Sequence, residues 1–138
     1  MHELIDRIAT TLRAKCPHVR ISVRSDDELA IHPANAQGFA IVVQAGEREH
    51  TLYFGNWHFH FDNTADGKNE LLDYLSYGLS TQGRLKTYAR AGREYKWTFE
   101  MQNPDNQSWQ PVGTMGTFDW RFWLTPQIRY AQNDLLEW

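Results

Sequence analysis

One cysteine, Cys16, is all that these 138 residues contain, so no disulfide closes within the chain. A secreted domain of this size usually carries several, and the scarcity points to a reducing, cytoplasmic setting. No apolar run approaches the ~20 residues that cross a bilayer. The opening stretch has Glu3, Asp6 and Arg7 where a signal peptide would have its apolar core, so no leader is expected there. Charge is scarce in the net: −3 offers no global attraction to nucleic acid or to an anionic membrane surface. A Gly-rich phosphate loop, a Gly-x-Ser-x-Gly elbow and a zinc-type cysteine pair are all missing. With no complete catalytic set, the chain reads as a binding protein that needs no cofactor.

What is there belongs to the ordinary globular class, with 41% hydrophobic and 22% charged residues. The length suits one domain. Leu4, Ile5, Ile8 and Leu12 recur at helical spacing, which predicts an amphipathic helix over residues 3 to 15, stopped by Pro17. Val19, Ile21 and Val23 alternate with Arg20, Ser22 and Arg24, and Leu29 and Ile31 follow after a Ser-Asp-Asp turn. The run GFAIVVQAG, 38 to 46, fits a strand covered on both faces or central in its sheet. Residues 49 to 62 read as a hairpin about Gly55-Asn56. Leu71, Leu72, Leu75 and Leu79 predict a second helix over 66 to 80.

Strands over 84 to 90 and 94 to 101 come next, turning at Gly92, then an edge strand over 108 to 115 that contains Pro111. Thr125-Pro126 reads as the start of a terminal helix through Ile128, Ala131 and Leu135. The expected fold is one α+β domain spanning 1 to 138. Its sheet is mainly antiparallel, with two or three helices packed on one face. The core draws on Trp57, Phe59, Phe61, Leu71, Leu75, Trp97 and Phe99.

The segment GNWHFHFDN, 55 to 63, holds the clearest chemical pattern. On a strand, Trp57, Phe59 and Phe61 face one way and His58, His60 and Asp62 the other. The hairpin would set Tyr53 opposite His58, Thr51 opposite His60 and Glu49 opposite Asp62, giving one polar surface. Alternate residues lie about 7 Å apart on a face, close enough for two imidazoles to share a zinc ion. Asp62 is roughly 13 Å along the strand from His58, so a third ligand has to come from elsewhere. His50, His32 and His18 are the candidates, and the spacing nominates none. The metallo-β-lactamase pattern needs a histidine where Asn63 stands, and the downstream glutamate and glycine spacing of the cupins is missing. A half-exposed polar strand without metal is the plainer reading.

Arg84, Lys86, Tyr88 and Arg90 share one face of their strand, with Arg93 and Lys96 just beyond. Cations interleaved with an aromatic suit phosphates and bases, or an acidic protein, or simply a solvated edge guarded by charge. The overall acidity argues against nucleic acid. There are six tryptophans, and Trp109, Trp120, Phe122 and Trp123 crowd toward the C-terminus. Trp120 and Trp123 cannot both face inward on a regular strand, and exposed tryptophan favours a partner interface. Cys16, between Lys15 and Pro17, reads as a buried thiol.

The string aromatic-His-x-His-Phe-Asp, followed by a turn and a leucine-rich helix, covers Tyr53 to Leu79. It resembles a pattern of small uncharacterised bacterial α+β proteins, some of them similar to immunity proteins. The resemblance implies a protein partner, neutralised by occlusion. The expected contact surface is Tyr53, His58, His60, Asp62, Arg84, Lys86, Tyr88, Arg90, Trp120 and Trp123. The alternative is a metal-dependent enzyme built on His58 and His60.

Overall fold

A computed structural model describes residues 2 to 136. Its elements run α1 (Glu3–Lys15), β1 (Ile21–Ser25), β2 (Glu28–Ile31), β3 (Ile41–Gln44), β4 (Glu49–Phe54), β5 (Trp57–Asp62), α2 (Ala65–Leu79), β6 (Gly83–Arg90), β7 (Arg93–Gln102), β8 (Trp109–Gly116) and β9 (Gln127–Ala131). The fold is α+β. Its strands form two antiparallel sheets rather than one, a five-stranded meander β1-β2-β3-β4-β5 and a four-stranded sheet β8-β7-β6-β9.

Local chemistry explains both helices. The Leu4 N–H of α1 donates to His2 Nδ1 at 3.1 Å, a cap in the place usually held by Ser or Asp. The periodic residues Leu4, Ile5, Ile8 and Leu12 are all buried, as their spacing predicts. In α2 the Gly67 N–H donates to Thr64 Oγ1 at 3.0 Å. Gly78 lets this helix sit directly on Phe54, since a Cβ there would come within 2.4 Å of the Phe54 ring.

The β4–β5 hairpin takes the register expected of a Gly-Asn turn, with Tyr53 opposite His58, Thr51 opposite His60 and Glu49 opposite Asp62. Gly55 supplies the positive φ, +57°, that a primed turn requires at its first position. The inward face carries two rows, Ile31, Ile41, Phe54, Trp57 and Leu29, Val43, Leu52, Phe59. Both helices lie on this face. β3 is the middle strand, as its apolar run suggests, but only Ile41 and Val43 are buried, because the opposite face has no helix over it.

The second sheet joins the first through aromatic contacts. The Trp57 indole N–H donates to Gly113 O at 3.0 Å. The Phe54 ring lies 4.5 Å from that of Phe99 and 5.4 Å from that of Trp57. Leu85 and Phe99 thereby enter the same core as the helices.

Three expectations are corrected. The terminal helix is absent: residues 127 to 131 form β9 on the open side of β6, with Ala131 opposite Leu85 and Ile128 opposite Tyr88. Ile128 and Tyr130 suit a strand, and an unpaired β6 edge supplies the ladder bonds that local helical spacing cannot outweigh. Phe59 points inward with Trp57 and Phe61 but stays 37% exposed. It sits on an edge strand beyond the reach of full helix cover, touching Phe61 and the flank of Tyr74. Trp97 is on the inward side of its sheet, yet only partly buried.

Phe54 and Phe59 therefore differ in worth. Phe54→Ala should cost about 3–5 kcal/mol and Phe59→Ala about 1–2 kcal/mol in urea unfolding. Equal losses would contradict the assignment of Phe59 to the margin of the core.

Candidate functional site

The histidine surface forms as the strand alternation predicts. His58 and His60 stand on the face of the first sheet opposite both helices, with ring centroids 5.2 Å apart. His60 Nδ1 meets Thr51 Oγ1 at 3.0 Å and Glu49 Oε1 at 3.4 Å, while Tyr53 packs against His58 at 5.4 Å between centroids. These contacts take the Thr51 hydroxyl and the Glu49 carboxylate for His60.

None of the candidate third ligands reaches the pair. His50 lies opposite Phe61 on the inward face and is fully buried. His32 bonds Ser22 Oγ at 2.8 Å beside β2, three strands away, which at the usual spacing is about 14 Å. His18 belongs to the exposed turn after α1. Among the described residues no three His, Cys, Asp or Glu side chains gather in a way that could hold a metal ion. Two imidazoles alone leave half of a tetrahedral zinc's coordination unfilled.

A denser arrangement covers the outward face of the second sheet. Leu85, Thr87 and Ala89 point inward, so Arg84, Lys86, Tyr88 and Arg90 point out together, as expected. The Arg84 guanidinium is held between two rings, 4.1 Å from the Trp109 centroid and 4.2 Å from that of Tyr130. Its Nε–H donates to Glu100 at 2.6 Å. Lys86 and Lys96 place their Nζ 5.0 Å and 4.5 Å from the Tyr88 ring, and Arg90 lies 4.6 Å from that of Tyr95. Contact with the Tyr88 hydroxyl holds the Lys86 ammonium above its usual pKa, so it is cationic at neutral pH. Cation–aromatic contacts at exposed sites are worth roughly 0.5–1 kcal/mol each, enough to order long side chains that would otherwise roam.

Beside this ladder lies the segment from Thr117 to Pro126. It reverses the usual sorting of side chains. Phe118, Trp120, Phe122 and Trp123 are 83%, 59%, 76% and 60% exposed, whereas Asp119 is buried. The Asp119 carboxylate accepts from Arg121 N–H at 3.0 Å and from Arg121 Nε–H at 3.1 Å. Those bonds keep its pKa below the ordinary carboxylate value. Arg121 also donates to Arg90 O, Arg90 Nε–H donates to Leu124 O at 3.0 Å, and Thr117 N–H donates to Tyr95 O at 2.7 Å. The polar residues tie the segment to β6 and β7 while its rings stand in solvent. Trp120 and Trp123 pack edge to face, 5.2 Å apart.

The ten residues expected on one contact surface thus fall on two sheets. Tyr53, His58, His60 and Asp62 share the outward face of the first. Arg84, Lys86, Tyr88 and Arg90 share that of the second, with Trp120 and Trp123 on the segment tied to it. Sequence reasoning missed Tyr130 because it lay in the supposed terminal helix, and missed Phe118 although it stands two residues from Trp120. Cys16 is a buried free thiol. No helix of the described residues is long and apolar enough to cross a membrane. Compared with family models, curated proteins and solved structures, the chain matches none. The site's chemistry therefore has to speak for itself.

His50 is a structural group with a pH signature. Gly46 N–H donates to its Nδ1 at 3.2 Å, so Nε2 bears the proton and donates to Asn63 Oδ1 at 3.0 Å. Burial lowers its pKa from 6.5, with the Asn63 bond opposing. Folding then excludes a proton that the unfolded chain binds. The stabilisation is complete above the unfolded value and is lost as pH falls from about 6.5 toward the lower folded value. Urea unfolding of the wild type between pH 7.5 and 5 should lose more stability than that of His50→Gln. Identical pH slopes would contradict a buried neutral His50.

Proposed function

We propose that this chain is a protein-binding module that neutralises a cognate partner by occlusion, in the manner of an immunity protein. The contact surface is the outward face of β6–β9 together with the segment 117–126. The observation that carries this reading is the inverted burial of that segment, with four large rings exposed and a carboxylate buried to hold them. A contiguous exposed apolar patch costs solubility, and such patches mark interaction sites. Trp, Tyr and Arg dominate the binding energy of protein interfaces, and they are the residues gathered here. Anchorage to β6 and β7 means little ordering is left to be done on binding, which favours affinity.

The electrostatics favour a protein partner over nucleic acid. Arg84 and Arg129 are already bonded to Glu100 and Glu94, each at 2.6 Å. That leaves Lys86, Arg90, Arg93 and Lys96 as local, spaced charges rather than a continuous phosphate track. The resemblance over Tyr53 to Leu79 supports the immunity form of the reading. The histidine face, on the other sheet, is left outside the proposed interface.

The test is recovery from the native host with a tagged chain at natural abundance. A stoichiometric protein partner is expected with the wild type. The double variant Trp120→Ala, Trp123→Ala should recover less than a tenth as much, since hot-spot truncations cost about 2 kcal/mol or more each. Its thermal unfolding should change little, because both rings are exposed. Recovery of no stoichiometric partner by the wild type would overturn the proposal.

A further inference from the structure

The open edge of β9 carries a second observation. Among the described residues β9 pairs with β6 on one side only, and Gln127 to Tyr130 are all exposed. The hydrogen-bond alternation identifies which groups are unused. Gln102 N–H donates to Gln82 O at 2.8 Å, so the even-numbered residues of β6 bond toward β7. Leu85, Thr87 and Ala89 then bond Ala131, Arg129 and Gln127, and the amides of Ile128 and Tyr130 face away from the sheet. The next amide of that parity, Gln132 N–H, is already taken by Gln37 O at 2.8 Å. Protein backbone therefore meets this edge just past the strand and leaves the strand itself open.

Edges of this kind are normally guarded by charge. Arg129 is the only charged residue of β9, and its guanidinium is bound to Glu94 at 2.6 Å. A depression flanks each face of the edge, and Tyr130 lines both. One, of about 610 Å³, is walled by Arg84, Trp109 and Gln132 and also holds Asp134. The other, of about 340 Å³, is walled by Leu85, Trp97 and Ala131, with Arg129 and Glu94 at its rim. Side chains of an added strand alternate between the two faces. One set would meet the first hollow, at whose Tyr130 wall the Lys86 ammonium stands, 5.9 Å from the ring centroid. The other set would meet the hollow whose apolar wall is Leu85, Trp97 and Ala131.

We infer that β9 is an acceptor edge, on which an extended segment of the partner with alternating acidic and apolar residues adds as a fifth strand. Its carboxylates reach the Lys86 ammonium beside Tyr130, and its apolar side chains enter the hollow beside Leu85 and Trp97. Main-chain hydrogen bonds give such strand addition its affinity, and the alternate hollows give it specificity. A second copy of this chain is a poor occupant, because antiparallel pairing of two β9 edges would bring Arg129 of both copies to one seam. The inference rests on the protein-binding reading and names how the partner docks.

The probe is a seven-residue peptide alternating glutamate and valine, with a lysine–valine peptide as control, titrated into the full chain and followed by NMR amide exchange. The acidic peptide should slow exchange at Ile128 and Tyr130 at least about tenfold and shift the Trp109 and Trp97 indole signals. The control should do neither. Lys86→Glu should weaken binding about tenfold while the chain stays folded. Ile128→Pro, which removes one of the outward donors, should abolish protection at Tyr130. Equal binding of both peptides, protection at the β1 or β8 edge in place of β9, or no protection at millimolar peptide would overturn the inference. If the edge stays unprotected while a host partner is still recovered through Trp120 and Trp123, strand addition falls and the binding reading stands. If the edge is protected but the wild type recovers no partner, the binding reading falls alone.

Discussion

The contact between Trp57, Phe54, Phe99 and Gly113 is the joint on which the molecule depends. Both helices serve the first sheet, and the second sheet has no helix dedicated to its own inner face. What covers Leu85 and Phe99 is the end of the first sheet, where the Trp57 and Phe54 rings lie against Phe99 and the indole N–H bonds Gly113 O. Without that joint, β6 to β9 would be a four-stranded sheet with its apolar face in water, at a cost of about 25 cal/mol per Å² exposed. A Cβ at Gly113 would make only ordinary contact with the indole, at 3.5 Å, so the joint uses the Gly113 carbonyl rather than the lack of a side chain.

That dependence divides the labour between the sheets. The first sheet and its helices supply burial, and the buried neutral His50 locks the β3–β4 loop to the start of α2 through Asn63. The second sheet contributes one face to the core and turns the other outward. On it, long cationic side chains are ordered by aromatic rings rather than by carboxylates alone. The segment 117–126 extends this surface by spending its polar groups on anchorage, which leaves its rings free. Fold and proposed function are thus linked by one arrangement: the inward face holds the sheet in place, and the outward face is held ready.

Much of this was legible in the sequence where the periodicity is local. The span of α1, the β4–β5 register and the shared face of Arg84, Lys86, Tyr88 and Arg90 all follow from spacing of 3.6 or 2 within one segment. The buried thiol and the edge position of β8, with Pro111 at a register shift opposite Glu100, follow from residue chemistry. What was not legible is long-range. Ile128, Ala131 and Leu135 have helical spacing, and only the unpaired edge of β6, some forty residues earlier, makes a strand of them. Phe59 shares its face with Trp57 and Phe61, but alternation reports direction and not depth, and depth depends on where the helices end. Division into two sheets turns on the Trp57 joint, which no local pattern encodes.

The central claim is that the binding surface lies on the second sheet and the segment 117–126, and that the histidine face of the first sheet is not part of it. A hydrogen-exchange footprint of the stoichiometric complex, set against the free chain, tests this most directly. Protection over residues 84 to 96 and 117 to 130, with residues 49 to 62 unchanged, is the result the account predicts. Protection centred on His58 and His60, with Trp120 and Trp123 left as exposed as in the free chain, would contradict it.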